Sequence, residues 1–129
     1  MSISLSYNYY DPCYGHIQLP ELVYELVSVC PEIKRLKDVG FTNFHTLSMH
    51  PLSKVSRLEY AIGAAYLTNL FLENTLFNQA ERNNLLAAAL MHDVGRAPFG
   101  HTVEWALNRY VLFDHEKNTL WVLKGEKTG

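Results

Sequence analysis

Cysteine is scarce in this chain: Cys13 and Cys30 are the only two in 129 residues. They form neither a C-x-x-C pair nor a disulfide framework, so reduced thiols in a cytoplasmic protein are expected. No run approaches the roughly 20 consecutive apolar residues of a membrane helix. No basic segment precedes an apolar one, so a secretory leader is not expected either. Lysine and arginine are absent before Lys34, while Asp11, Glu21, Glu25 and Glu32 make that part acidic. A net charge of −2 gives no reason to expect nucleic-acid binding. Repeats, low-complexity segments and internal linkers are missing as well.

What remains is the composition of a globular chain: 48% hydrophobic residues with 19% charged, enough to build a core. The length suits one domain over residues 1–129. Ser2 to Tyr7 alternates polar and apolar, Asp11-Pro12 and Gly15 supply a turn, and His16 to Leu19 alternates again. This predicts a β-hairpin over residues 1–19. Pro20 suits the first turn of a helix with Leu22, Val23, Leu26 and Val27 on one face. Pro31 opens another, with Ile33, Leu36 and Val39 inward, and Gly40 is expected to close it. Residues 41–53 lack periodicity and read as a packed loop. Further helices are predicted from about Ser56 to Glu73, from Asn78 or Gln79 to His92, from Thr102 to Val111, and from Asp114 to Leu123. The fold class is therefore mostly α: a helical core over 20–124, a short N-terminal hairpin, and a frayed tail over 125–129.

The chemistry concentrates between Leu90 and Glu104. His92 and Asp93 stand side by side where a small-residue helix meets Gly95, expected to end that helix, and His101 and Glu104 follow one helical turn apart. Imidazole with carboxylate is a ligand set for a hydrolytic metal site. A carboxylate one turn from an imidazole orients it and favours its protonated form, the arrangement of a general acid. The plainer alternatives are a polar helix end and a surface His-Glu pair. His16, His45 and His50 do not fall on ligand spacing, although His45 or His50 could substitute for a missing ligand.

Five blocks carry a resemblance. Asp11-Pro12-Cys13-Tyr14-Gly15-His16-Ile17 resembles D-P-x-[HY]-G-x-I, and Ile33 to Gly40 resembles a Q-R-L-x-x-[IV]-x-Q-L-G helix. Arg57-Leu58-Glu59-Tyr60-Ala61-Ile62-Gly63 resembles R-F-E-H-S-L-G. His92-Asp93-Val94-Gly95-Arg96-Ala97-Pro98-Phe99-Gly100-His101 resembles H-D-[IL]-G-H-x-P-F-S-H, and His115-Glu116 a later H-E. In this order and spacing, over about residues 8–116, the chain resembles the HD-domain phosphohydrolases, in particular their deoxynucleoside triphosphate triphosphohydrolase branch. The resemblance implies an HD-type helical bundle. It also implies a divalent metal (Mn, Fe, Mg, Zn or Ni) on His92 and Asp93, and proton transfer by His101 with Glu104. It places Arg57 at the substrate phosphates and His115 at the substrate pocket; by guanidinium chemistry Arg96 could join Arg57 in a phosphate-binding face.

The departures are specific. Tyr60 occupies the position of a family ligand His, and Arg96 that of an active-site His. The family's fourth ligand, a distant Asp, would fall beyond Gly129. Two ligands rarely hold a divalent ion, since catalytic zinc sites use three. A tyrosine ligates only as phenolate, against an ordinary pKa of about 10. For Arg96 two readings stand: a phosphate-binding cation, or a plug that salt-bridges Asp93 or Glu104. Two functions stand accordingly. One is a dNTP triphosphohydrolase-type phosphohydrolase completed by a partner or a longer parent protein. The other is a catalytically inactive HD module that binds a nucleotide or a partner protein. Leu120, Trp121 and Leu123 on the last helix predict uncovered apolar surface, hence a homo-oligomer or a partner protein.

Overall fold

The computed structural model describes residues 6–41, 55–98 and 100–126, with the side chains of His101 and Thr102 outside that description. Strands β1 (Ser6–Asp11) and β2 (Gly15–Pro20) pair antiparallel, with Tyr7 opposite Leu19 and Tyr9 opposite Ile17. The alternation expected from Ser2 falls in part on residues 1–5, which lie outside the described residues. Asp11 makes the turn, its buried Oδ1 accepting from the N–H groups of Cys13 at 2.7 Å and Tyr14 at 3.0 Å. Gly15 follows with φ of 72°, a value that β-carbon sterics make costly for other residues.

Six α-helices follow among the described residues: α1 (Glu21–Val29), α2 (Pro31–Arg35), α3 (Arg57–Glu73), α4 (Gln79–Met91), α5 (Gly100–Val111) and α6 (His115–Lys124). This bears out the mostly α class with a short N-terminal hairpin. Among the described residues no helix is long and apolar enough to cross a membrane.

The two longest helices start on capping boxes. Ser56 and Glu59 exchange side-chain and backbone bonds at the start of α3, and Asn78 and Glu81 do so at α4. Small residues on α3 (Ala61, Ala65) are fully buried and let α4 approach closely. Ile17 and Leu19 from the hairpin, Val23 from α1 and Leu90 from α4 complete one apolar cluster with Ile33 and Leu36. Truncating a side chain as buried as Leu90 costs about 2–5 kcal/mol.

Some local expectations need correction. Pro20 is not in the first turn of α1; it closes β2 and stands at the helix N-cap. Gly40 does not close a helix. After α2 the chain tightens into a 3-10 turn over Leu36–Asp38 and Val39 is extended. Gly40 then pairs with Ser56 as an isolated antiparallel bridge, reinforced where Arg57 N donates to Val39 O at 2.7 Å. That bridge fixes the start of α3, and so the position of Arg57. Helix α5 begins at Gly100, two residues before the expected Thr102. The loop expected over 41–53 and its His45 and His50 lie outside the described residues from position 42 onward.

Candidate functional site

Helix α4 delivers His92 and Asp93. It ends at Met91, with His92 as C-cap in the right-handed region, and successive tight turns carry the chain to Arg96. Gly95 does not end the helix, as the spacing suggested. Its role is contact: a β-carbon there would run into the backbone N of Thr119 and lie 2.6 Å from the carbonyl carbon of Asn118. Only glycine lets α6 lie this close to the turn.

The turn's backbone is held from two sides. Arg35, on α2, donates to the carbonyls of Val94 at 2.8 Å and Arg96 at 3.0 Å. On α6, Asn118 donates to Gly95 O at 2.7 Å, and the Thr119 hydroxyl accepts from Gly95 N at 3.0 Å while donating to His92 O at 3.3 Å. Each buried peptide group left unpaired would cost about 1–3 kcal/mol. Arg35, Asn118 and Thr119 therefore fix the loop that carries Asp93. Sequence reasoning missed these roles because carbonyl capture over such separations has no spacing signature.

Asp93 is buried at 2% exposure, and both carboxylate oxygens are engaged. Arg57 Nη1 lies 3.2 Å from Oδ2, and Arg96 Nη2 lies 3.0 Å from Oδ1. Both guanidinium groups are themselves buried. Burial, then the charge of Arg96, pulls the Arg57 ionisation below the ordinary arginine range, with Asp93 opposing; arginine stays charged near neutral pH nonetheless.

His92 is half exposed, with Nδ1 donating to Ala89 O at 2.8 Å. Its other nitrogen, Nε2, lies 3.6 Å from Asp93 Oδ2. Tyr60 faces this pair as expected, its ring centroid 5.8 Å from that of His92 and 4.8 Å from that of Phe41. The Arg57 guanidinium lies 5.0 Å from the Phe41 ring centre, within cation–π reach.

Glu104, on α5, accepts from His115 twice: from Nδ1 at 2.7 Å and from the backbone N at 3.2 Å, both at Oε1. Its Oε2 lies 3.8 Å from Arg96 Nη1. His115 starts α6, behind Asp114, which caps the helix by accepting from Glu116 and Lys117. Glu104 thus joins the α6 start to the Asp93 cluster through Arg96. The expected partner His101 lies on α5, and its side chain is outside the described ones. Of the sequence-predicted residues, the structure brings together His92, Asp93, Arg57, Arg96 and Tyr60, and links Glu104 and His115 to them.

A divalent ion does not suit this arrangement. Nε2 of His92 and Oδ2 of Asp93 present two donor atoms, but Tyr60 contributes a phenol where a third imidazole would be needed. Asp93, the one acidic ligand of the pair, is already paired through both oxygens with two guanidinium groups, whose joint charge exceeds its own. Unit charges about 4 Å apart interact by about 4 kcal/mol at an effective dielectric of 20, and a divalent ion would feel twice that from each arginine at that range. Elsewhere among the described residues, Glu104, Asp114 and His115 bring one ligand atom each within 4.8 Å of one another. Their bonds to one another and to the α6 backbone already use these groups structurally.

Comparison with known proteins places this geometry. Residues 57–127 match the HD domain family. A deoxynucleoside triphosphate triphosphohydrolase SAMHD1 homolog of Dictyostelium discoideum is 27% identical over 125 residues, covering 88% of this chain and 24% of that protein. An uncharacterised protein of Mycoplasma genitalium is 30% identical, covering 90% and 29%. A phosphohydrolase crystal structure from Bacteroides thetaiotaomicron superposes with a TM-score of 0.77 at 26% identity, over 94% of this chain and 30% of that one. The chain spans less than a third of the length of each of these relatives.

Proposed function

The chain belongs to the HD domain family, and we propose that it is a phosphohydrolase-type module that binds nucleotide phosphate, of the deoxynucleoside triphosphate kind, without turning it over by itself. The observation that carries this reading is the pair of buried guanidinium groups, Arg57 and Arg96, converging on the His92-Asp93 turn. Guanidinium binds phosphate oxygens through paired, charge-assisted bonds. Each arginine has five N–H donors, and Arg57 Nε has no hydrogen-bond partner among the described residues. Phosphate would compete with Asp93 for these donors, so affinity falls in the range of about micromolar to millimolar. The dNTP kind rests on the Dictyostelium relative's name and on the motif blocks.

Calorimetric titration with deoxynucleoside triphosphates tests this. Saturable binding that is lost in Arg57→Ala, with no phosphate or triphosphate released, supports the module. Absence of binding overturns it and leaves the exposed apolar residues of α5 and α6 as the functional surface.

A second reading, a working phosphohydrolase completed by another chain or a longer parent protein, has one observation in its favour. The His92 Nδ1 bond to Ala89 O leaves Nε2 aimed at Asp93 Oδ2, the orientation a metal-ligating imidazole adopts. In that reading His101 delivers the proton to the leaving group, and Glu104 with His115 orients the donor. Product release with manganese present that disappears in His101→Ala would establish it.

A further inference from the structure

We infer that in this chain a protein cation, the Arg96 guanidinium together with that of Arg57, replaces the divalent ion that the HD family implies, and that Arg96 is the residue that keeps the ion out. The inference rests on family membership and not on nucleotide binding, so either can fail without the other.

Three observations carry it. Both oxygens of Asp93 are bonded, one to each arginine, at 3.2 and 3.0 Å, inside a site where all three side chains are at most 9% exposed. Buried charge persists only when paired, so the carboxylate has its countercharge without an ion. Arg96 is also held by Glu104 Oε2 at 3.8 Å, and its peptide N–H donates to Asp93 O at 3.0 Å, which fixes its backbone in the turn. Its guanidinium is therefore held by two carboxylates, Asp93 in the turn and Glu104 on α5.

Tyr60 is the more visible departure from the ligand pattern, but it is not the lock. Its ring lies beside His92 and against Phe41, half exposed, and none of the described polar contacts joins its hydroxyl to Asp93. A His at position 60 would add a third donor atom and leave both Asp93 oxygens on guanidinium. A His at position 96 removes a permanent charge and frees Oδ1.

The test is metal retention by the whole chain, read by elemental analysis after equilibration with manganese and gel filtration, beside thermal unfolding with manganese or chelator. The wild-type chain is expected to retain less than about 0.1 equivalent, with a midpoint that neither addition moves. Tyr60→His is expected to behave as wild type. Arg96→His combined with Tyr60→His is expected to retain at least about tenfold more metal and to unfold at higher temperature when manganese is present. Should that variant fail to fold, Arg96→Gln with Tyr60→His removes the charge while keeping a donor, and the same gain is expected. Near-stoichiometric metal in the wild type overturns the inference. So does Tyr60→His alone matching the double variant, because the missing imidazole would then be what excludes the ion. No gain in any charge-removing variant that folds overturns it as well.

Discussion

Asp93 is the residue on which the site depends, because its burial is tolerable only with both arginines in place. Removing one partner of a buried pair leaves an uncompensated charge and costs about 3–5 kcal/mol. Asp93→Ala takes a carboxylate from two cations, of which Arg96 keeps Glu104, so its denaturant midpoint is expected to fall by at least as much as that of Arg57→Ala, which leaves the carboxylate bonded to Arg96. Equal, small losses in both would show that water screens the cluster. The two thiols provide a second test at this scale. Burial, then the bond from Cys30 Sγ to Glu32 at 3.2 Å, raises the Cys30 thiol above the ordinary cysteine range. Less of it is thiolate, the reactive form, at any pH below that raised value. Cys13 is exposed on the hairpin turn. Iodoacetamide at mildly alkaline pH is therefore expected to modify Cys13 first, as mass spectrometry of partly labelled protein would report.

Among the elements, the contact of α6 with the His92-Asp93 turn is the least forgiving. A methyl group at Gly95 meets backbone on α6, and backbone cannot rotate aside as a flexible side chain does. Gly95→Ala is expected to cost about 1–3 kcal/mol or more, seen as a lower thermal midpoint. Asn118→Ala, which unpairs Gly95 O, is expected to cost about 1–3 kcal/mol. The sequence made the elements legible where a cue was local. The caps at Ser56, Asn78 and Asp114 stand within a residue or two of their predicted places, and Gly15 is where a turn demands it. It misled where a glycine had two meanings. Gly40 and Gly95 both read as helix stops, yet one is a bridge residue and the other a contact point. The site was legible as a residue list but not as a circuit. His92, Asp93, Arg57 and Arg96 were identified, and a salt bridge from Arg96 to Asp93 or Glu104 was one of its two readings; that Arg96 reaches both at once, and that Arg35 holds the turn, depend on tertiary geometry that no spacing encodes.

At the scale of the whole molecule, large apolar side chains are exposed on the last two helices as well as on α3. On α5 and α6, Trp105, Tyr110, Leu120, Trp121 and Leu123 are all exposed, and contiguous apolar surface is what an association site offers. Concentration-dependent association is expected in sedimentation equilibrium, and Leu120→Glu with Leu123→Glu is expected to weaken it; a monomer at all concentrations would refute the expectation. The functional reading turns on a single electrostatic fact, that Asp93 is neutralised from within the protein. Crystals grown with manganese, with data collected at its absorption edge, would show this atom by atom. No anomalous peak is expected between His92 Nε2 and Asp93, and both arginines are expected to remain at hydrogen-bond distance from the carboxylate. A peak at about 2.0–2.2 Å from those two ligand atoms, with Arg96 turned away, would contradict it.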